Sequence, residues 1–405
     1  MRKIYKGLEK GTCGQKIEDK NISFAIILQF CLLITNYTFK QIFNITNPSS
    51  RAIVSAIFML IVGIVFLKNL NIVIRRKGKL FVGLYSGSIS IILFNMLLFH
   101  QNIEYMTEIL FYLFLICIPV FLYYCSIYDK LIFLSMLIKS AYYQMALGFI
   151  FFIDTLFSPI EYDMVFSYLV LVPLTILLYK IYNKFNLFDT FLIVLGLFMI
   201  IVVGARGPII SLVLFWIVLI LINSFKNKIS LKRIMVFLIA LIIVVLCIFY
   251  YEFIILEIDS LLQHFGIYSR TITILLTDNI DFSSGRIPIY RYTIKKIMDK
   301  PIFGYGIAGD RIFLDGTYPH NIFLEIFVHF GVIMGSIIIL IFMFYWFNGI
   351  IRNKNKEELD LAIIFFGIGL VNLFISGSYI TSSNFWLFMA ICINSVHGNK
   401  TQCKD

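Results

Sequence analysis

Long apolar runs, each bounded by a short polar or basic cluster, recur along most of this chain, and their length sets the first expectation. A helix rises about 1.5 Å per residue, so roughly 20 apolar residues cross the ~30 Å of hydrocarbon in a bilayer. Twelve stretches meet that need, with leeway for shorter ones: Ile22 to Phe39, Ala52 to Leu67, Leu80 to Phe99, Tyr105 to Cys125, Leu131 to Ile153, Met164 to Tyr179, Leu187 to Val203, Gly207 to Ile222, Ile234 to Tyr251, Ile322 to Phe347, Leu361 to Ile375 and Phe385 to Val396. The last two are short and interrupted by Ser and Gly. The pattern predicts an all-α, polytopic membrane protein of about 12 transmembrane helices, one domain over residues 1–405, with one long extracytoplasmic loop between spans nine and ten.

Composition agrees: 60% of residues are hydrophobic, only 14% are charged, and the mean hydropathy is +0.91, all outside the range of soluble domains. The first 21 residues hold six Lys or Arg and no apolar core of the kind a signal peptide needs, so the N-terminus is expected to stay in the cytoplasm. Alternation then assigns 23 Lys or Arg to cytoplasmic segments and three, Lys40, Arg51 and Arg206, to short outer loops. That bias fits the positive-inside rule, which long loops escape. It puts both termini in the cytoplasm and explains the net charge of +11 without a nucleic-acid partner. Seven cysteines show neither a paired framework nor metal-ligand spacing.

The outer segment Glu252 to His320 is 69 residues long, and loops of that size usually carry function. Within it, Ile287, Tyr290, Ile294, Ile297 and Met298 recur at helical spacing after Pro288, with Arg291, Lys295, Lys296 and Lys300 on other faces. A basic amphipathic helix is therefore expected over about 287–300, lying on the lipid surface, and Pro301 ends it. Gly304, Gly306 and Gly309 follow as a flexible turn, fit either for a ligand or for joining two packed elements.

Three polar residues share the outer boundary in this topology. Arg206 stands at a Gly/Pro-marked turn after span seven, Arg286 opens the amphipathic helix, and His320 precedes span ten. Together they suggest a pocket for an anionic group. Each also has a structural reading: Arg206 as a snorkelling residue, Arg286 paired with lipid phosphate or Asp281, His320 as part of a helix start capped by Asn321. Glu325, in the first turn of span ten, is costly there unless it faces protein, and could position His320 or Arg286 or serve a structural pair. Asp189 within a span calls for the same explanation. Tyr268, Arg270, Tyr290, Tyr292, Tyr305 and Tyr318 are candidate sugar-stacking faces among 23 tyrosines.

From about Leu187 onward the chain resembles the O-antigen ligase and polymerase family of bacterial polysaccharide assembly. The resemblance rests on "GARGP", "GRIPIYRYTIKKIMDKPIFGYGIAG", "HNIFLEIFVHFGVIMG" and a terminal apolar stretch with "NFW". It implies transfer of a glycan from undecaprenyl diphosphate to an acceptor sugar on the outer face of the bacterial cytoplasmic membrane. It also implies that Arg206 and Arg286 hold the diphosphate and that His320 is the base; Arg291, Asn321, Glu325 and Tyr305, in the same segments of the sequence, are candidate supporting residues. Partners would be the lipid-linked oligosaccharide, membrane lipid, and the flippase and chain-length regulator of the same pathway. The chemistry is coherent. Guanidinium groups grip a leaving diphosphate without a metal, and a histidine at a helix N-terminus is biased toward its neutral form.

No cofactor is expected. The first outer loop carries no carboxylate pair, and Glu257 with Asp259 reads as a solvated loop start rather than a metal site. Within the family the modest outer loop favours a polymerase of repeat units, with O-antigen ligase as the alternative. A lipid-linked oligosaccharide flippase is the rival of another class, but transporters place polar residues near the midplane in matched halves, and here they gather at one face.

Overall fold

The computed structural model describes residues 13–156, 163–203, 206–226, 251–264 and 286–397, and among them all regular structure is helical. Six helical stretches are long and apolar enough to cross a membrane: Cys13–Ile42, Pro48–Leu98, His100–Ser126, Lys130–Asp154, Met164–Asn183 and Ile322–Arg352. Two shorter apolar helices, Leu187–Val203 and Gly207–Asn223, accompany them. The chain is a polytopic helical membrane protein. Of the expected ninth span, all but Tyr251 lies outside the described residues.

The residues gather in two compact units. One comprises Leu33–Val54 and Ser140–Ser284 and includes α5 (Lys130–Leu156) from Ser140 onward, α6 (Met164–Asn183), α7 (Leu187–Val203), α8 (Arg206–Lys226) and α9 (Tyr251–His264). Asp163 caps α6 by accepting from the Phe166 amide at 3.0 Å. Asp189 is fully buried, and the structure supplies its reason: it accepts from Tyr142 Oη at 2.6 Å and pairs with Lys180 Nζ at 2.6 Å. A buried carboxylate persists only when paired in this way.

The other unit comprises Met1–Leu32, Ser55–Lys139 and Gly285–Asp405. It draws on α1 (Cys13–Ile42), α2 (Pro48–Leu98), α3 (Ile103–Tyr112) and α4 (Ile118–Ser126). Its later helices are α10 (Arg286–Asp299), α11 (Gly309–Phe313), α12 (Ile322–Phe347), α13 (Lys356–Phe365) and α14 (Ser383–His397). Every residue of α4 is buried, and α4 packs on α14, with Phe121 meeting Trp386 edge to face at 6.2 Å. The second and third expected spans run together as α2, whose 51 residues would reach about 77 Å if straight. The connection is instead a break at Lys77 (φ −139°, ψ 34°), inside the basic cluster that separates the spans in the sequence. Beside it Arg76 is held by Glu18, Asp19 and the Ser126 carbonyl.

Three expected spans are interrupted, the fourth by a π-helical turn, Leu113–Cys117, between α3 and α4. The eleventh is interrupted: α13 passes into a π-helical turn, Phe366–Leu370, and a 3-10 turn, Val371–Phe374. The Gly369 backbone lies where a Cβ would come within 2.6 Å of the Asn384 carbonyl, so the start of α14 presses against it and deflects the chain. The tenth, α12, breaks at Gly331 (φ 72°, ψ 178°). From Asn321 to Phe330 every residue is buried or half-buried, whereas beyond the break Ile333, Met334 and Leu340 are 59, 52 and 65% exposed, as a lipid-facing helix would be.

The Pro301–Gly306 turn fills this break. Tyr305 N donates to the Val328 carbonyl at 2.7 Å, Gly306 N to that of His329 at 3.1 Å, and Val332 N to that of Pro301 at 2.6 Å. The backbone groups released by the broken helix are thus satisfied, as they must be where water is scarce. Gly304 and Gly331 both have positive φ, and a Cβ on Gly304 would lie 2.6 Å from Gly331 N. Only glycine at both positions lets the two strands of backbone meet. The turn is pinned on its other side by Asn95, which accepts from Ile307 N at 2.7 Å, and by Asn102, which donates to the Tyr305 and Ile307 carbonyls at 2.9 and 2.8 Å.

Candidate active site

The turn fixes α10 beside α12, and that juxtaposition assembles the site. His320 stands just before α12 with φ +56°, left-handed backbone that a non-glycine residue adopts at a cost of about 1 kcal/mol or more. The cap downstream enforces it: Asn321 Oδ1 accepts from Phe323 N at 3.0 Å and Leu324 N at 3.2 Å. The capping role therefore belongs to Asn321, leaving the imidazole free of it. Among the described residues His320 Nδ1 is buried and has no hydrogen-bond partner.

Arg286, the first residue of α10, is half-buried and close enough for its charge to act on His320. Burial, aided by that guanidinium, pushes the imidazole pKa down to about 4. The sequence predicts a neutral imidazole because of the α12 dipole, and the structure gives the same sign with a different cause. Tyr290, one turn along α10, reaches the His320 carbonyl with its hydroxyl at 3.5 Å. The arrangement offers an uncharged proton acceptor beside a cation, the pair needed to deprotonate a hydroxyl while holding an anion.

The other candidates are distributed around this pair. Arg291 is exposed on α10. Arg206 begins α8 in the other unit, and its side chain lies outside the described residues, as do Tyr268, Arg270 and Asp281. Tyr305 packs its ring against Phe313 at 5.4 Å and under Lys300 Nζ at 4.6 Å. Tyr318 lies against the His320 ring, with centroids 4.5 Å apart. Glu325 serves neither His320 nor Arg286 by any hydrogen bond among the described residues. It accepts from Arg311 Nη1 at 3.2 Å, from the Ser378 hydroxyl and from Tyr379 N at 3.2 Å.

This is the structural pairing that the sequence left open for Glu325, and it belongs to a buried network that the sequence reading missed. Arg311 Nη1 bridges Asp310, at 2.6 Å, and Glu325, while Nη2 donates to Ser378 Oγ at 3.0 Å. Asp310 also meets His329 Nε2 at 2.9 Å, and His329 Nδ1 meets Tyr379 Oη at 2.9 Å. Burial raises the Asp310 carboxyl, but His329 and Arg311 outweigh it and hold it below the usual range. Asp310, Glu325 and His329 each bring one ligand-type atom within 4.8 Å of the others. The Arg311 nitrogen already stands between the two carboxylates as their cation, so the cluster reads as an ion-pair network. Its signal in the sequence was Glu325 and His329 four apart on an otherwise apolar helix, and the adjacent Asp310-Arg311 after a glycine turn.

The structure thus places a neutral histidine and an arginine together just before α12 of a helical membrane protein. Comparison with known proteins adds to this. Residues 191–340 match the family model described as O-antigen ligase, a stretch that contains Arg206, Arg286 and His320. The chain is also similar to a protein of Rickettsia conorii named "Putative polysaccharide ligase", with 28% identity over 127 residues, covering 26% of this chain and 31% of that relative. No solved structure matches. These findings support the O-antigen ligase/polymerase-like family, on the part of the chain that carries the site.

Proposed function

We propose that this protein is a membrane glycosyltransferase that moves a glycan from undecaprenyl diphosphate to an acceptor sugar hydroxyl at the outer face of a bacterial cytoplasmic membrane. The observation that carries the reading is His320: strained, neutral, with a free ring nitrogen, beside Arg286. In the proposed step the imidazole takes the proton of the acceptor hydroxyl and the oxygen attacks the anomeric carbon. The bond from that carbon to the diphosphate oxygen breaks, and the electron pair leaves with the lipid diphosphate. Arg286, joined in this reading by Arg206, meets the charge that grows there. The topology that goes with it has about 12 spans, cytoplasmic termini and the segment 252–320 outside.

An apolar groove of about 700 Å³ lined by residues including Phe94, Leu98, Ile302 and Met334, with Lys300 among them, suits an amphiphilic donor with an anionic head. Within this class we take the acceptor to be another lipid-linked repeat unit, which makes the enzyme a polymerase. The second reading is transfer of the finished glycan to lipopolysaccharide core, and the word ligase in the family description and in the relative's name keeps it beside the first. Glycan profiling of a strain lacking the gene separates them. Surface glycans stopped at a single repeat are the expected result; long lipid-linked chains without an acceptor would establish the ligase reading, and repeat units trapped inside the cell would overturn both in favour of a flippase.

A further inference from the structure

The His320 imidazole needs a fixed orientation, and the side chain against it is Tyr318. The rings lie 4.5 Å apart at a 54° tilt. The Tyr318 ring in turn carries the Arg311 guanidinium 5.5 Å from its centroid. Its hydroxyl is hydrogen-bonded to Ser376 and to the Gly377 backbone, in the segment that also supplies Ser378 and Tyr379 to the buried network. Arg311 itself cannot swing toward solvent, because Asp310, Glu325 and Ser378 take its donors. A chain of rigid contacts therefore runs from the buried ion pairs through one aromatic ring to the proposed base.

We propose that Tyr318 is a positioning residue for the transfer described above: its ring, backed by Arg311 and tethered at the hydroxyl by Ser376, is the wall that aligns the His320 imidazole and keeps water from it. The proposal rests on the glycosyl-transfer reading for its catalytic consequence, but its physical content does not. Among the described residues, the charged and titratable groups that face His320 are Arg286 and Tyr290 from α10 and Tyr318 from its own loop, with Arg311 of α11 and Glu325 of α12 acting behind the tyrosine. Removing the Tyr318 ring leaves Arg286 and Tyr290 in place and opens the imidazole to water, so its protonation moves back toward ordinary histidine behaviour.

The test is the rate at which diethyl pyrocarbonate modifies His320, followed by peptide mass spectrometry across pH in the full-length protein in nanodiscs. Only the neutral ring reacts. In wild type the rate should stay nearly level from pH 7.5 to 5.5; in Tyr318→Leu it should drop about tenfold over that interval, and Tyr318→Phe, which keeps the ring and loses only the hydroxyl tether, should drop far less but not stay level. Alongside, in reconstituted transfer, Tyr318→Leu should lose kcat by roughly tenfold or more with donor KM little changed, and Tyr318→Phe should recover most of it. Should Tyr318→Leu fail to fold, Ser376→Ala, which only cuts the tether, should show a smaller slope of the same sign. An unchanged modification profile in a folded Tyr318→Leu or Ser376→Ala protein would overturn the proposal. Absence of transfer by wild type would instead defeat the glycosyltransferase reading, and the modification profile would still decide the role of Tyr318.

Discussion

Two histidines stand nine positions apart at the start of α12, and the contrast between them is instructive. His329 is almost wholly buried, and both ring nitrogens are bonded, to Asp310 and Tyr379. His320 is only half-buried, has a left-handed backbone, a nitrogen without a partner among the described residues, and a cation beside it. A satisfied imidazole holds structure together, whereas one held in strain with a free nitrogen is available for chemistry.

The contrast can be broken at His329 first. His329→Ala takes one of two partners from the buried Asp310 carboxylate, leaves the buried Tyr379 hydroxyl without its ring nitrogen and opens a cavity, and should lower folding stability by about 2–4 kcal/mol, read as a large drop in the thermal midpoint in detergent. His320→Ala removes no paired partner and should leave the midpoint nearly unchanged. Equal shifts in the two variants would erase the distinction. Next in size is the cation. Arg286→Ala should slow transfer by on the order of 10²-fold, and Arg286→Lys should recover only part of this, because an ammonium cannot make the paired contact of a guanidinium. If the two behaved alike, a bidentate grip on diphosphate would be excluded.

The frame that separates the two histidines is itself testable. Gly304→Ala forces a Cβ into the Gly331 backbone and should cost about 1–3 kcal/mol of stability, with loss of transfer in the fraction that stays folded as α10 shifts from α12. A stable, fully active Gly304→Ala protein would show that the turn does not set the site. The smallest effect is that of pH. Because the folded-state value for His320 is depressed to about 4 from 6.5, the base stays neutral well into acid, and the acid limb of kcat/KM should fall near pH 4 rather than near 6.5. By the same sign, the unfolded chain takes up this proton first, so the contribution of His320 to stability is lost as pH falls from about 6.5 toward 4. Activity should persist in excess chelator, since Arg311 already supplies the cation of the carboxylate cluster.

How much of this was legible in the sequence follows from the kind of information each feature carries. Apolar length is local, so a polytopic helical membrane protein could be read directly, as could the helix Arg286–Asp299 from its Pro288 start and the cap at Asn321. The break at Gly331 could not, because it is caused by a partner turn some thirty residues upstream whose backbone fits only against glycine. The run from Ile322 to Phe347 accordingly read as one uninterrupted span. Glu325 was recognised as needing a partner, but Arg311 and Ser378 come from segments on either side of α12, and one sequence contains no signal that joins them. Tyr318 was one of many tyrosines until the fold laid it on His320. The missed residues share that character: ordinary in composition, defined only by what the chain brings to them.

The central claim is that the imidazole of His320 accepts a proton during glycan transfer. It is tested most directly by reconstituting purified protein with an undecaprenyl-diphosphate-linked repeat unit and measuring product formation by His320→Ala against wild type, each corrected for folded protein. A loss of about 10³-fold, within the range for a general base, is the predicted result. Product formation by His320→Ala at the wild-type rate would contradict the claim.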